Sequence, residues 1–199
     1  MRQPSKQREI NFNDPDFAQK YARRHQKMTQ KFGMTYARNL KFRDFQKGRI
    51  IDVGCGAGGT GIVLAQAFPK CEVLGIDLSQ PLLDIARESA RAVALNGRVK
   101  FEQTDVQRIP YEDDSFDVVI NMNMVHLVEN PVAMLNEIER ILKPDGILFI
   151  ADLKRSWLSI FEKEIKSSLA LSEAEELIHR TNLRDGLFTS SMIWWRYEV

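Results

Sequence analysis

The sequence predicts an α/β fold: a doubly wound, mostly parallel sheet of seven strands, with helices on both faces and an antiparallel C-terminal hairpin. Three observations predict it. Between Ile50 and Ala151, short apolar runs alternate with longer stretches of helical periodicity, the pattern of a parallel sheet covered on both sides. The first run, Ile50-Ile51-Asp52-Val53, empties into Gly54-Cys55-Gly56-Ala57-Gly58 and then into a helical segment, Thr60 to Phe68. The last two extended runs, Leu183 to Ser190 and Met192 to Val199, meet at Ser190-Ser191, and strands joined so tightly are antiparallel.

The polar stretch Met1 to Asn11 is expected to be disordered or loosely attached. Asn13-Asp14-Pro15 signals a helix start, because proline fits the first turn. Phe17, Tyr21 and Met28 recur at helical intervals up to about Lys31. Gly33 is expected to end that helix, and Met34 to Phe45 to form a second one. Residues 1–48 would then be a helical cap or arm ahead of a domain over 49–199, within one single-domain chain. The cap either closes over a site or packs on a sheet edge.

The second strand is Glu72 to Asp77. Ser79 caps the next helix and Pro81 sits in its first turn; the helix runs through Ala94 and Asn96-Gly97 stops it. Val99 to Asp105 alternates as a third strand, and Phe116 to Asn121 is a nearly all-apolar fourth. Pro131 opens a helix whose Met134, Leu135, Ile138 and Ile141-Leu142 make a core face. Ile147 to Ala151 is the fifth strand. Trp157 to Leu171 is amphipathic, and Ser172-Glu173-Ala174-Glu175 starts a further helix.

Ligands of open parallel sheets sit at the carboxyl ends of the strands. The glycine loop fits that place, but its chemistry is ambiguous. Gly54-x-Gly56-x-x-Gly59 matches a dinucleotide fingerprint, and Gly54-x-Gly56-x-Gly58 matches another pattern equally. Asp52 suits a ligand carrying a cationic group and would repel a pyrophosphate. Asp77, ending the second strand, can accept two hydrogen bonds from a ribose diol. Asp105 can accept from an exocyclic amine, and Asn121 ends the fourth strand at the same edge.

The stretches IIDVGCGAGGTG, VLGIDLS, FEQTDVQRIPYEDDSFDVVI and NPVAMLNEIERILKPDGILFIADL occur in order over about half the chain. In them the chain resembles the class I S-adenosylmethionine-dependent methyltransferases of the small Rossmann-like (methyltransferase type 11-like) kind. The resemblance implies S-adenosyl-L-methionine as cofactor, with S-adenosyl-L-homocysteine as product. It assigns Gly54, Cys55 and Gly56 to the methionine moiety, and Gly58 of the same loop to the cofactor site. It gives Asp77 to the ribose and Leu78 to one adenine face. Asp105, with Thr104 beside it, would take the adenine amino group, and Val106 would add a backbone contact. Asn121 would offer its carbonyl to the methionine ammonium. Two departures stand out: Val125-His126-Leu127-Val128 keeps one histidine where the family has two, and Pro144-Asp145-Gly146 replaces Pro-Gly-Gly.

A sulfonium methyl group is already activated, so the protein mainly positions and desolvates it. His126 is the candidate base, or else a structural histidine at a loop junction. Tyr21 can reach the methionine end or the substrate, or simply pack. Met122 and Met124 suit an apolar acceptor pocket, and the Asn121-Met122-Asn123-Met124 stretch offers no proline clamp for a nucleic-acid base. A small molecule is the expected acceptor, and these residues would accommodate an apolar part of it. Rival readings are a nicotinamide-dependent oxidoreductase, disfavoured by Asp52 and by the lack of residues for a substrate domain, and a non-catalytic cofactor-binding module serving a partner protein.

Composition narrows the class. Of 199 residues 44% are hydrophobic and 28% charged, ordinary for a soluble globule. No apolar run nears the roughly 18 residues of a membrane span, so no membrane partner is expected, and with only Cys55 and Cys71 a cytoplasmic, reducing setting is expected. Two cysteines imply no staple framework, and no metal-ligand cluster is visible. The net charge of +1 hides an asymmetry: residues 1–49 carry thirteen Lys/Arg against four Asp/Glu, and the remainder fifteen against twenty-three. The basic arm can meet an acidic substrate or nucleic acid, or pack on the protein's own acidic body.

Overall fold

The structure, a computed structural model, describes residues 11–95, 97–155 and 168–199. Seven strands form one sheet in the order β3-β2-β1-β4-β5-β7-β6. β1 is Arg49–Val53, β2 Glu72–Asp77, β3 Val99–Gln103, β4 Phe116–Met122, β5 Leu142–Leu153, β6 Leu187–Ser190 and β7 Trp194–Glu198. β1 to β5 pair in parallel, while β7 runs antiparallel to both β5 and β6. The fold is the expected Rossmann-like one. Strand order reverses beside β1, where β2 lies on one side and β4 on the other, and such a switch point opens a crevice at the carboxyl edge.

Helices α1 (Pro15–Phe42), α2 (Gly59–Ala67) and α3 (Gln80–Ala92) cover one face, and α4 (Pro131–Ile141) and α5 (Leu171–His179) the other. Two apolar cores result. Leu40, Leu64, Leu83 and Phe149 belong to the first; Ile51, Met134, Ile138 and Trp195 belong to the second. Asp14 caps α1 by accepting from the N–H groups of Asp16 and Phe17 at 2.9 and 3.0 Å. Ser79 caps α3 by accepting from Leu82 N–H at 3.3 Å.

The N-terminal segment differs from expectation. There is one 28-residue helix, not two, and it passes through Gly33 without a break. Gly33 is buried where α1 crosses α2, and a Cβ there would lie 2.8 Å from Cβ of Val63. The glycine permits a close crossing, and the helical hydrogen bonds on either side continue through it. Other limits shift by a few residues. α3 ends at Ala92, with Ala94 in the left-handed region before the expected stop. β3 stops at Gln103, short of Asp105, and β6 begins only at Leu187. β5 is longer than expected because it already starts at Leu142, with a register shift against β4 before Ile147. The expectations for Met1 to Ile10, and for most of the amphipathic stretch from Trp157, lie outside the described residues.

Candidate functional site

β1 delivers Gly54, Gly56 and Gly58 at φ +77°, +52° and +74°, a left-handed run that side chains resist. The loop is pinned from below. The N–H groups of Gly54 and Cys55 donate to Ile76 carbonyl at 2.8 and 3.0 Å, and Gly56 N–H donates to Asp77 Oδ2 at 2.9 Å. Ser79 N–H donates to Asp77 Oδ1 at 2.9 Å. Asp77 thus joins the end of β2 to the glycine loop and to the start of α3. Burial pushes its carboxyl above the usual range, and the N–H groups of Ser79, Gly56 and Leu78 pull it back.

A cavity of about 760 Å³ opens on this loop. Gly54, Cys55, Gly56, Asp77, Leu78 and Ser79 form one wall, and Met122, Asn123, Met124 and Leu127 another. α1 closes it with Tyr21, His25, Met28 and Thr29, and Phe12 joins them from the segment before the helix. Tyr21 sits among aromatic neighbours, its ring 5.1 Å from that of Phe12 and 4.1 Å from that of His25. Ser79 Oγ donates to Phe12 carbonyl at 2.6 Å, tying that segment over the end of β2. Leu78 is 61% exposed, an apolar side chain presented beside the cavity.

The structure therefore brings Gly54, Cys55, Gly56, Asp77, Leu78, Tyr21, Met122 and Met124 together on the cavity wall, and places the other sequence candidates off it. Asp52 is 2% exposed, behind the loop, and its carboxyl is raised to about 7 by burial and by the charge of Asp77, with the Gly61 N–H working against this. The expectation that Asp52 meets a cationic ligand group is corrected accordingly. Asn121 is fully buried; its amide donates to Val53 carbonyl at 2.9 Å, and Met122 and Asn123 take the wall instead. Gly58 lies against the ring of Phe101. Past the end of β3, Thr104 N–H donates to Asp77 carbonyl at 3.0 Å and Val106 is buried. The Asp105 carboxylate accepts from Gln107 N–H at 2.9 Å in a local turn. Cys55 is buried and its thiol is pushed well up, first by burial and then by Asp77 and Asp52, which fits a loop residue better than a nucleophile.

His126 is the clearest correction. Its side chain is 1% exposed, Nδ1 lies 2.6 Å from Asp152 Oδ1, and it does not line the cavity. The backbone N–H of His126 also donates to Asp152 Oδ2 at 3.2 Å. The pair joins the loop after β4 to β5. Sequence reasoning missed Asp152, and it missed Phe12, His25 and Leu127 on the wall, whereas Met28 stood in the helical pattern of the cap and Asn123 in the stretch read as suiting a pocket.

Residues 44–190 match the family model described as a methyltransferase domain. The chain belongs to that family, the S-adenosylmethionine-dependent methyltransferases of Rossmann-like fold. It is 32% identical over 140 residues to an uncharacterized methyltransferase of Schizosaccharomyces pombe, covering 67% of this chain and 50% of that protein. It is 35% identical over 121 residues to a demethylmenaquinone methyltransferase of Lactobacillus johnsonii, covering 56% of this chain and 50% of that protein. The chain thus spans about half the length of these curated relatives. A SAM-dependent methyltransferase structure from Aquifex aeolicus superposes with a TM-score of 0.75 at 20% identity, covering 93% of this chain and 97% of that one, a likeness of fold.

Proposed function

We propose that the chain transfers a methyl group from S-adenosylmethionine to a small-molecule acceptor with an apolar part. The observation that carries this is Asp77, held rigidly under the glycine loop on the wall of the cavity. The residues fit the cofactor. Asp77 retains acceptor capacity for a ribose diol, since each oxygen accepts from one backbone N–H. At Gly56 a Cβ would meet nothing within 4 Å, so the loop backbone borders open space where the methionine moiety would lie. Leu78 offers its exposed side chain to the adenine, and Thr104, Asp105 and Val106 follow at the end of β3. When bound, the cofactor supplies a sulfonium-activated methyl group.

This chain's residues then bind, orient and exclude water. Met28, Met122 and Met124 surround the acceptor end, polarizable side chains that adapt to an apolar molecule. The Lactobacillus relative, named for a quinone acceptor, points the same way. Tyr21 and His25 on α1 are polar groups of the cavity wall and orient the acceptor by hydrogen bonding. Residues 1–48 act as the cap, and the domain begins at 49. In-line transfer held by position alone needs no base at His126.

Calorimetry with S-adenosylhomocysteine tests the site. Asp77→Ala removes hydrogen bonds to a carboxylate, each about 1.5–3 kcal/mol, so affinity should fall at least about tenfold with the fold intact. Unchanged affinity removes Asp77 from the site. NADH binding more tightly than S-adenosylhomocysteine would favour an oxidoreductase. Methyl transfer from labelled donor into a lipid extract separates an enzyme from a non-catalytic module.

A further inference from the structure

The face of α1 that points away from the cavity is cationic along nearly its whole length. Lys20, Arg24, Lys27, Lys31, Arg38 and Lys41 follow one another in steps of three and four, with Met34 filling the one gap, and all seven are exposed. At 1.5 Å per residue the stripe is about 32 Å long. It lies opposite the buried face of Ala18, His25, Gly33, Tyr36 and Leu40. From Phe17 to Arg43 there are eight Lys/Arg and no Asp/Glu. Among the described residues, no carboxylate forms a salt bridge with Lys20, Lys27, Lys31, Arg38 or Lys41, while Arg24 makes an interaction of its own. Two apolar side chains share this face, Met34 at 55% and Phe42 at 90% exposed.

We propose that this face of α1 docks on an anionic lipid surface. A straight cationic ridge complements a plane of lipid phosphates, and each Lys or Arg near such a surface strengthens binding about fivefold. Met34 and Phe42 reach past the phosphates toward the acyl chains, where apolar side chains are stabilised. The remainder of the chain, from Ile50 onward, carries fifteen Lys/Arg against twenty-three Asp/Glu and is repelled by the same surface, so only one orientation is attractive. A helix is about 10–12 Å thick, so the cavity lies one helix away from the bilayer. Choosing lipid over nucleic acid rests on the reading above that the acceptor has an apolar part, because such an acceptor partitions into the same bilayer. Docking on a surface needs no spanning helix, and no described helix is long and apolar enough to cross a membrane. The sequence expectation of no membrane partner rested on spanning alone.

The test is co-sedimentation of the full chain, without donor or acceptor, with vesicles of equimolar phosphatidylglycerol and phosphatidylcholine. Binding is expected there, should be absent on phosphatidylcholine alone, and should weaken steeply with salt. The variant Lys20→Gln/Lys27→Gln/Lys31→Gln/Arg38→Gln should bind at least about a hundredfold more weakly. A charge-matched control at exposed sites outside α1, Lys47→Gln/Lys70→Gln/Arg91→Gln/Lys100→Gln, should bind within a few-fold of the parent. The pair Lys20→Gln/Lys27→Gln should fall between them, which keeps the comparison open if the fourfold variant folds poorly. Equal binding to neutral vesicles, or equal loss in variant and control, overturns the proposal. Tighter binding to polyuridylate than to vesicles in competition would reassign the face to nucleic acid. Because no methyl donor is present, failure here is distinguishable from failure of the methyl-transfer reading.

Discussion

Asp52 and Asp77 stand on adjacent parallel strands, point to the same sheet face and are both nearly buried, yet only Asp77 meets the cavity. The register explains it. Asp52 pairs with Gly75, so Asp77 lies two residues, about 6.6 Å, nearer the carboxyl edge. That offset carries Asp77 to the rim, where backbone N–H groups hold both its oxygens, and leaves Asp52 beneath the glycine loop. The same contrast repeats across β4: Met122, Asn123 and Met124 line the cavity, while Asn121 and His126 stand behind it, bound to Val53 and Asp152. The lesson is that a functional edge has two layers. The outer one faces the cavity, and the inner one fixes the loops that carry the outer.

Substitutions in the two layers should separate stability from binding. The largest effect is expected at Asp52. Its carboxyl titrates near 3.8 unfolded and is raised to about 7 in the fold. The native state therefore holds a proton that the unfolded chain has lost, and this contribution to stability declines as pH rises from about 4 to about 7. The full shift corresponds to roughly 4 kcal/mol at most. Asp52→Asn should be more stable than the parent above pH 7 and show a flatter decline. Identical pH–stability curves by thermal unfolding would contradict the inner-layer assignment.

His126→Ala should come next. It removes the ring partner of Asp152 in a site closed to solvent, and a buried group left unsatisfied costs about 1–3 kcal/mol. Cofactor affinity should stay within about twofold, and turnover should fall less than about tenfold. A drop on the order of 10²–10⁴ with an altered pH profile would instead make His126 a base.

The smallest effect is expected at Gly33→Ala, where two terms oppose. Alanine in place of glycine favours a helix by about 1 kcal/mol, whereas overpacking costs about 1–3 kcal/mol. The clash would be with Cβ of Val63, an atom with little freedom to move. Net destabilisation of about 1 kcal/mol should result, with faster hydrogen exchange in α1. Increased stability would show that the crossing can relax.

Much of this was legible from periodicity and punctuation. The alternation of elements, the terminal hairpin, the caps at Asp14 and Ser79 and the glycine loop all arise from interactions within a few residues, and these the chain encodes locally. The break expected at Gly33 shows the limit. Glycine ends a helix or admits a neighbour, and the choice depended on Val63, thirty residues away. His126 shows it again, since its partner Asp152 lies 26 residues downstream and nothing near His126 announces it.

What the sequence by itself determined was the set of strands, most of the helices, the mostly parallel arrangement and the chemistry gathered at one edge, because hydrophobic period and turn residues act over short range. Which of those edge residues face the cavity was decided only by tertiary structure. Strand register, the crossing of α1 over α2 and the burial of the His126–Asp152 pair set exposure, and exposure depends on neighbours distant in the chain.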